Sequence, residues 1–320
     1  MKTMKTLCVA GAALVLSVSG ALAQDKFKVA VGQIEIWSGA VPALGQKAGI
    51  FKKHGIELEI FGTAGAGETV TTVISGSADF GINVGSYGVF RAFARGAPIR
   101  IIGANFTGAG DLYWYVRTES PIKALADATE KNSISYSTNG ASTHIVVSGF
   151  QKALGLKAIP TSTGGQTPTL TMVMSGQIDI GWASPPFGLK EVEEGKIRIV
   201  ANGNDFPTIR NQSVRVEIVN ANVLRDRKDA VMRFVRAYRE TLDWMYTSPD
   251  AAKMHAEMHG LVEARVRAAI DKFQPKAARQ YDEVKDIEGM MSDAVRLKFL
   301  DAPLTKEQIA EFIQIPKPGT

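Results

Sequence analysis

The stretch Gly62-Thr63-Ala64-Gly65-Ala66-Gly67-Glu68-Thr69 has the spacing of a Walker A phosphate loop, but Glu68 stands where that loop needs a lysine. The lysine neutralises the terminal phosphates, so a carboxylate in its place opposes nucleotide binding and hydrolysis. A dinucleotide fingerprint fails on the same stretch, because Val70 replaces its third glycine. What remains is a tight turn into a helix. Glu68 favours the helix dipole, and the N–H groups of Gly65, Ala66 and Gly67 are predicted to face a ligand. His255 and His259 are one helical turn apart, which suits a metal. However, Glu257 is out of phase for a zinc-protease motif and no third ligand is near, so an exposed helix face is expected. Gly85-Ser86-Tyr87-Gly88 is one residue short of a serine nucleophile elbow. No paired acids or metal-ligand clusters appear beside these sites. The chemistry on offer is binding: no enzyme activity, cofactor or metal is expected.

The elements that position these residues are set by an internal repeat. Val70-Thr71-Thr72-Val73-Ile74-Ser75-Gly76-Ser77-Ala78-Asp79-Phe80-Gly81 lines up with Leu170-Thr171-Met172-Val173-Met174-Ser175-Gly176-Gln177-Ile178-Asp179-Ile180-Gly181, one hundred positions on. Thr63, Gly65 and Thr69 match Thr163, Gly165 and Thr169 in the same register. Each copy reads strand–helix–strand–helix–strand. Alternation at Phe27, Val29 and Val31, or at Ile134 and Tyr136, marks the first strand, and the Asp-x-Gly segment opens the third. That order predicts two lobes with parallel sheets and right-handed crossovers. Ligands of such sheets sit off the carboxyl ends of the strands, beside helix N-termini.

Six loops meet that condition: residues 33–38, 62–68 and 85–88 in the first copy, and 138–144, 163–167 and 182–187 in the second. They supply the candidate ligand-binding residues: Trp37, Ser38, Gly65, Ala66, Gly67, Ser86, Tyr87, Thr138, Ser142, Thr143, His144, Gln166, Trp182 and Ser184. Hydroxyls and indoles at strand ends suit a pocket better than a catalytic centre. His144 also suits a capping or packing role at its helix start. Beyond the second copy, Val231, Phe234, Val235, Tyr238, Leu242 and Met245 follow helical spacing, and Ser248-Pro249-Asp250 starts another helix. This tail is expected to buttress the first lobe and hold no separate function.

Lys2 and Lys5, the uncharged apolar residues 7–18 and Ala21-Leu22-Ala23 form a secretory leader, with Gln24 expected to begin the mature chain. The apolar run is too short to span a bilayer. A lipoprotein would need a cysteine directly after the cut, and Gln24 stands there. The single cysteine, Cys8, lies inside the leader, so the mature chain has no disulfide or thiolate chemistry. Export without cysteine points to a bacterial periplasm. The formal charge of +5 falls to +3 without the two leader lysines. No basic run marks nucleic-acid or membrane binding.

Several motifs then resemble the nitrate/sulfonate/taurine solute-binding family, whose members include binders of thiamine-pyrimidine precursors. These are Leu44-Gly45-Gln46-Lys47-Ala48-Gly49-Ile50-Phe51-Lys52-Lys53-His54-Gly55-Ile56, Ser75-Gly76-Ser77-Ala78-Asp79-Phe80-Gly81, Arg95-Gly96-Ala97-Pro98-Ile99 and Ser175-Gly176-Gln177-Ile178-Asp179. The resemblance covers residues 27–250 and implies a type II periplasmic-binding-protein fold, α/β, with two lobes and a two-crossing hinge. The crossings are expected near residues 111–116 and 206–215. They give lobe I at 24–112 and 209–320, and lobe II at 113–208. It further implies a monomer that captures a small organic anion or zwitterion by hinge closure and delivers it to an inner-membrane ABC permease with its ATPase. An aromatic or nitrogen-heterocyclic ligand such as a pyrimidine is the alternative, as is a sensing role beside a membrane receptor. The pyrimidine-making enzymes related to the family carry a cysteine-rich motif that the mature chain lacks.

Overall fold

The computed structural model describes residues 24–319. The leader expected at residues 1–23 lies outside them. Lobe I opens with β1 (Asp25–Gly32), a single 3-10 turn at Trp37–Gly39, α1 (Val41–Lys47), α2 (Ile50–Lys53), β2 (Ile56–Thr63), α3 (Ala66–Ile74), β3 (Phe80–Gly85), α4 (Ser86–Ala94) and β4 (Ile99–Thr107). The chain then crosses to β5 (Tyr113–Arg117), β6 (Ser133–Tyr136), α5 (Ser142–Leu154), β7 (Ile159–Ser162), α6 (Gln166–Met174), β8 (Gly181–Ala183), α7 (Leu189–Glu193) and β9 (Ile197–Asn202). It returns as β10 (Ser213–Asn220) and ends in helices α8 (Ala221–Asp226), α9 (Lys228–Thr247), α10 (Asp250–His259), α11 (Glu263–Phe273), α12 (Ile287–Arg296) and α13 (Lys306–Phe312).

The first sheet has the order β2-β1-β3-β10-β4. In lobe II, β8-β5-β9 and β6-β7 are joined where Ile134 bridges Ile180, which extends the same order: β7-β6-β8-β5-β9. The parallel sheets expected of both lobes need one amendment. β10 runs antiparallel to β3 and β4, and β5 runs antiparallel to β8 and β9. Each reversed strand is the one that has just arrived from the other lobe, so no helical crossover sets its direction. The crossings themselves fall at residues 108–112 and 203–212, between β4 and β5 and between β9 and β10. Both end earlier than expected, because Tyr113–Val116 already pair with β8 and β9 and Ser213 already pairs with β4.

The repeat has a physical basis at each matched position. Thr63 and Thr69 share a hydroxyl hydrogen bond of 2.6 Å, and so do Thr163 and Thr169, tying each turn to its helix. Asp79 accepts the Lys28 N–H at 2.7 Å, and Asp179 the Ser133 N–H at 2.8 Å, fixing the start of the third strand against the first. Gly76 and Gly176 close α3 and α6 at φ 77° and 80°, a left-handed position that side chains disfavour. The apolar helix faces behind these turns fill the core around Val73, Phe80 and Ile82 in lobe I and Val173 and Ile178 in lobe II.

The expected tail helices are present. The six residues of α9 singled out by helical spacing are all buried against the first sheet, and Ser248 Oγ accepts the Asp250 N–H at the start of α10.

Candidate ligand-binding site

The six loops do converge, and they do so in two groups with different characters. In the first group the lobes touch directly. Gly67 donates its N–H to Thr138 Oγ1 at 3.0 Å, and a methyl on Gly65 would meet the same hydroxyl at 2.7 Å. A methyl on Gly85 or Gly88 would strike the Gly140 carbonyl oxygen, at 2.3 Å and 2.6 Å. These residues form a seam of backbone against backbone. Of the three N–H groups expected to face a ligand in the 62–68 turn, that of Gly67 is taken by lobe II, while the neighbouring Ala64 N–H goes to Glu68 at 2.7 Å. Ala66 lies in the same buried seam.

Four other candidates are taken up in packing, three within their own lobes and His144 also against Phe299 of lobe I at 5.1 Å. Ser86 Oγ donates to the Val214 carbonyl at 3.2 Å. Tyr87 is buried beside Phe90 and Phe299, with its phenol donating to Gln212 Oε1 at 2.5 Å. Thr143 Oγ1 accepts the Ser137 N–H at 3.0 Å and caps the turn into α5, next to buried Ser142. His144 stacks on Tyr136 at 4.4 Å and accepts the Gly140 N–H at Nδ1, the capping role that its place at a helix start also suited.

The second group surrounds polar chemistry. Ser38 receives a hydrogen bond from Arg215 Nη1 at 3.4 Å, and Arg215 pairs with Asp111. Asp111 accepts Ser184 Oγ at 3.5 Å and Gln274 Nε2 at 3.0 Å. The Ser184 N–H donates to Gln166 Oε1 at 2.6 Å. A hydrogen-bonded chain thus runs from lobe I through the first crossing into lobe II. Arg215 is 2 % exposed and Asp111 0 %, so water screens this ion pair very little. The guanidinium also lies over the Phe106 ring, 4.5 Å from its centroid. Below it, Glu217 accepts from Asn105 Nδ2 at 2.5 Å, from the Asn83 N–H at 2.7 Å and from the Tyr238 phenol. Burial raises the Glu217 carboxyl above its usual range, against the lowering pull of these donors.

Trp37 and Trp182, both 1 % exposed, flank this chain in sequence: Trp37 precedes Ser38, and Trp182 stands two residues before Ser184. Buried nitrogens without a protein partner include Trp37 Nε1, Trp182 Nε1, Gln166 Nε2 and Arg215 Nε. The Gln166 amide is unambiguous, since its oxygen already accepts the Ser184 N–H. A cavity of about 230 Å³ opens beside Gln166 and Ser184, and Glu35, Phe187 and His259 also line it. No group of three or more His, Cys, Asp or Glu side chains among the described residues is placed to hold a metal ion.

Asp111, Arg215 and Gln274 belong to this polar chain, and the loop analysis did not select them. Nor did it place His255, expected on an exposed helix face, where the structure buries it completely: its ring meets Trp37 edge-on at 5.3 Å. The reason is that α10 folds back onto the 3-10 turn that carries Trp37. Burial, and secondarily the neighbouring His259, pushes the His255 pKa down to about 3. The unfolded chain protonates this ring near pH 6.5. It therefore binds more protons than the folded protein below that pH, and stability falls as the pH drops from about 6.5 towards 3. Between pH 7 and pH 5 urea titration should record a loss of about 2 kcal/mol from this ring. His255→Asn should show a shallower pH dependence; an unchanged slope would contradict the burial.

A family model described as NMT1/THI5 like matches residues 42–252. The chain belongs to that family. The matched span runs from α1 through both lobes into α10, so it includes both crossings and, of the polar chain, Asp111, Gln166, Ser184 and Arg215. Comparison with curated sequences finds no match. Solved structures of low sequence identity share the fold of this NMT1/THI5-like protein. The alkanesulfonate-binding protein SsuA from Xanthomonas axonopodis pv. citri, bound to MOPS, superposes with a TM-score of 0.75 at 14 % identity, covering 92 % of this chain and 100 % of its own. The periplasmic aliphatic sulphonate binding protein SsuA from Escherichia coli gives 0.68 at 17 %, covering 91 % and 92 %. The periplasmic nitrate-binding protein NrtA from Synechocystis PCC 6803 gives 0.70 at 13 %, covering 90 % and 85 %. The type II periplasmic-binding fold is thereby established.

Proposed function

We propose that this protein is the periplasmic solute-binding component of an ABC importer, and that it captures a small organic anion of the sulfonate or carboxylate type. The observation that carries the ligand class is the excess of donors. Arg215 Nε, Gln166 Nε2, Trp182 Nε1 and Trp37 Nε1 are buried N–H groups with no protein acceptor. An oxyanion head supplies several acceptors at once, which removes the cost of leaving such donors unpaired. The two indoles add apolar walls for the rest of the solute. The structural neighbours with sulfonate- and nitrate-binding names support the same reading. In it, residues 24–112 with 209–320 form one body and 113–208 the other, and hinge closure at the crossings buries the solute without changing a bond. The protein acts as a monomer, exported by its leader, and a membrane permease with its ATPase receives the loaded form. No helix among the described residues is long and apolar enough to cross a membrane.

A thermal-shift screen with alkanesulfonates, carboxylates, nitrate, amines and pyrimidines tests the reading. An anion at a hundredfold above its Kd should add about 2.7 kcal/mol of stability, or roughly 5–10 °C in Tm. Trp182→Ala and Trp37→Ala should each weaken that binding while the protein stays folded. Stabilisation by pyrimidines alone, which the two indoles would accommodate, would move the ligand to the heterocycles. Turnover of the bound solute would end the transport reading.

A further inference from the structure

The C-terminal helices reach well beyond lobe I. The end of α10 and the turn after it bring His259 and Leu261 to the mouth of the cavity, where they line it together with Glu35, Pro186 and Phe187. One helical turn earlier, His255 lies against Trp37, and its ring centroid is 4.7 Å from that of His259. His259 Nε2 is buried and has no protein partner. Further on, Arg265 of α11 pairs with Glu193 of α7 at 3.1 Å, so the tail grips lobe II from a helix packed on lobe I. Gln274, just past α11, donates to Asp111 in the first crossing. The tail therefore touches the indole wall, lobe II and the crossing, each at a different element.

We propose that α10 and α11 form a third wall of the binding site, with Leu261 and His259 as specificity-determining residues that meet the outer end of the bound solute. The proposal rests on the cavity holding the solute, as argued above. A head group held by Arg215, Gln166 and Trp182 leaves its remainder directed to a mouth that Leu261 and Phe187 make apolar and narrow. The mouth then limits the length of the apolar chain, and His259 with Glu35 favours a terminal donor over a second anion.

Two measurements decide it. The first needs no ligand. Hydrogen exchange at the Ser184 and Phe187 amides of the free protein should quicken two- to five-fold in Arg265→Glu, as loss of a partly exposed ion pair implies. It should return to the wild-type rate in Arg265→Glu/Glu193→Arg. Unchanged exchange in the single variant overturns the wall, whether or not any sulfonate binds. The second compares methane-, butane- and octanesulfonate by calorimetry. Leu261→Trp should weaken the two longer chains at least tenfold relative to methanesulfonate, and Leu261→Ala should shift preference the other way. Affinity ratios that stay fixed in both variants overturn the contact role, while equal loss of all three in Trp182→Ala supports a head-group site separate from the mouth. Failure of every sulfonate to bind the wild type bears on the ligand class alone, and the exchange result still decides the wall.

Discussion

Arg215→Met is expected to destabilise the protein by roughly 3–5 kcal/mol and to abolish solute binding. The stability loss follows from what the substitution leaves behind. Asp111 is fully buried, and its remaining partners, Ser184 Oγ at 3.5 Å and Gln274 Nε2 at 3.0 Å, are neutral. A carboxylate stripped of its cation in a site of low dielectric costs far more than the pair contributed when whole. The binding loss has a separate origin, the missing guanidinium donor. Arg215→Met/Asp111→Asn separates the two effects, because a neutral amide can still accept from Gln274 without an uncompensated charge. The double variant should recover most of the unfolding free energy in urea and still fail to bind the solute that stabilises the wild type. Full stability in the single variant would show that the ion pair is not buried as described. Intact binding in the double variant would place the head-group site elsewhere.

That pair also marks where the sequence stops being legible. In Val214-Arg215-Val216-Glu217-Ile218 the charges alternate with apolar residues, as in a strand with one wet face. All eight residues of β10 are nevertheless buried, because the strand lies between β3 and β4 and helices cover both faces of the sheet. Only the tertiary arrangement reveals that Arg215 and Glu217 must find partners inside. The repeat was readable for the opposite reason. Its threonines, aspartates and glycines act within a single copy of the repeat, so their spacing carries their role. Loop positions could be inferred in the same way, since they depend on strand order. Side-chain direction depends on the phase of the following helix: Ser86 and Tyr87 turn into lobe I while Gln166, also the first residue of a helix, reaches Ser184. The tail helices were visible as helices, but nothing local to His259 or Arg265 announces that lobe II lies opposite.

Gly88→Ala should leave the ligand-free protein as stable as the wild type or slightly more so, yet weaken solute binding at least tenfold. Within a helix, alanine normally exceeds glycine in stability by about 1 kcal/mol, and Gly88 sits inside α4 with no left-handed backbone to prevent the exchange. The obstacle is across the seam. The added methyl would stand 2.6 Å from the Gly140 carbonyl oxygen and 2.7 Å from its Cα. Both are backbone atoms, so no side chain can swing aside, and relief requires the lobes to part. A tenfold weakening needs only about 1.4 kcal/mol of penalty on the joined arrangement, a small demand for contacts this far inside normal separation. Calorimetric titration gives the affinity, and small-angle scattering of the solute-saturated variant should show a larger radius of gyration than the wild type. The seam would then be the part of the closed form that has no tolerance for a side chain. If affinity is unchanged, solute binding does not require this seam to close. If Tm falls while binding survives, Gly88 and Gly140 belong to one packed body, and the division of motion between the lobes must lie elsewhere.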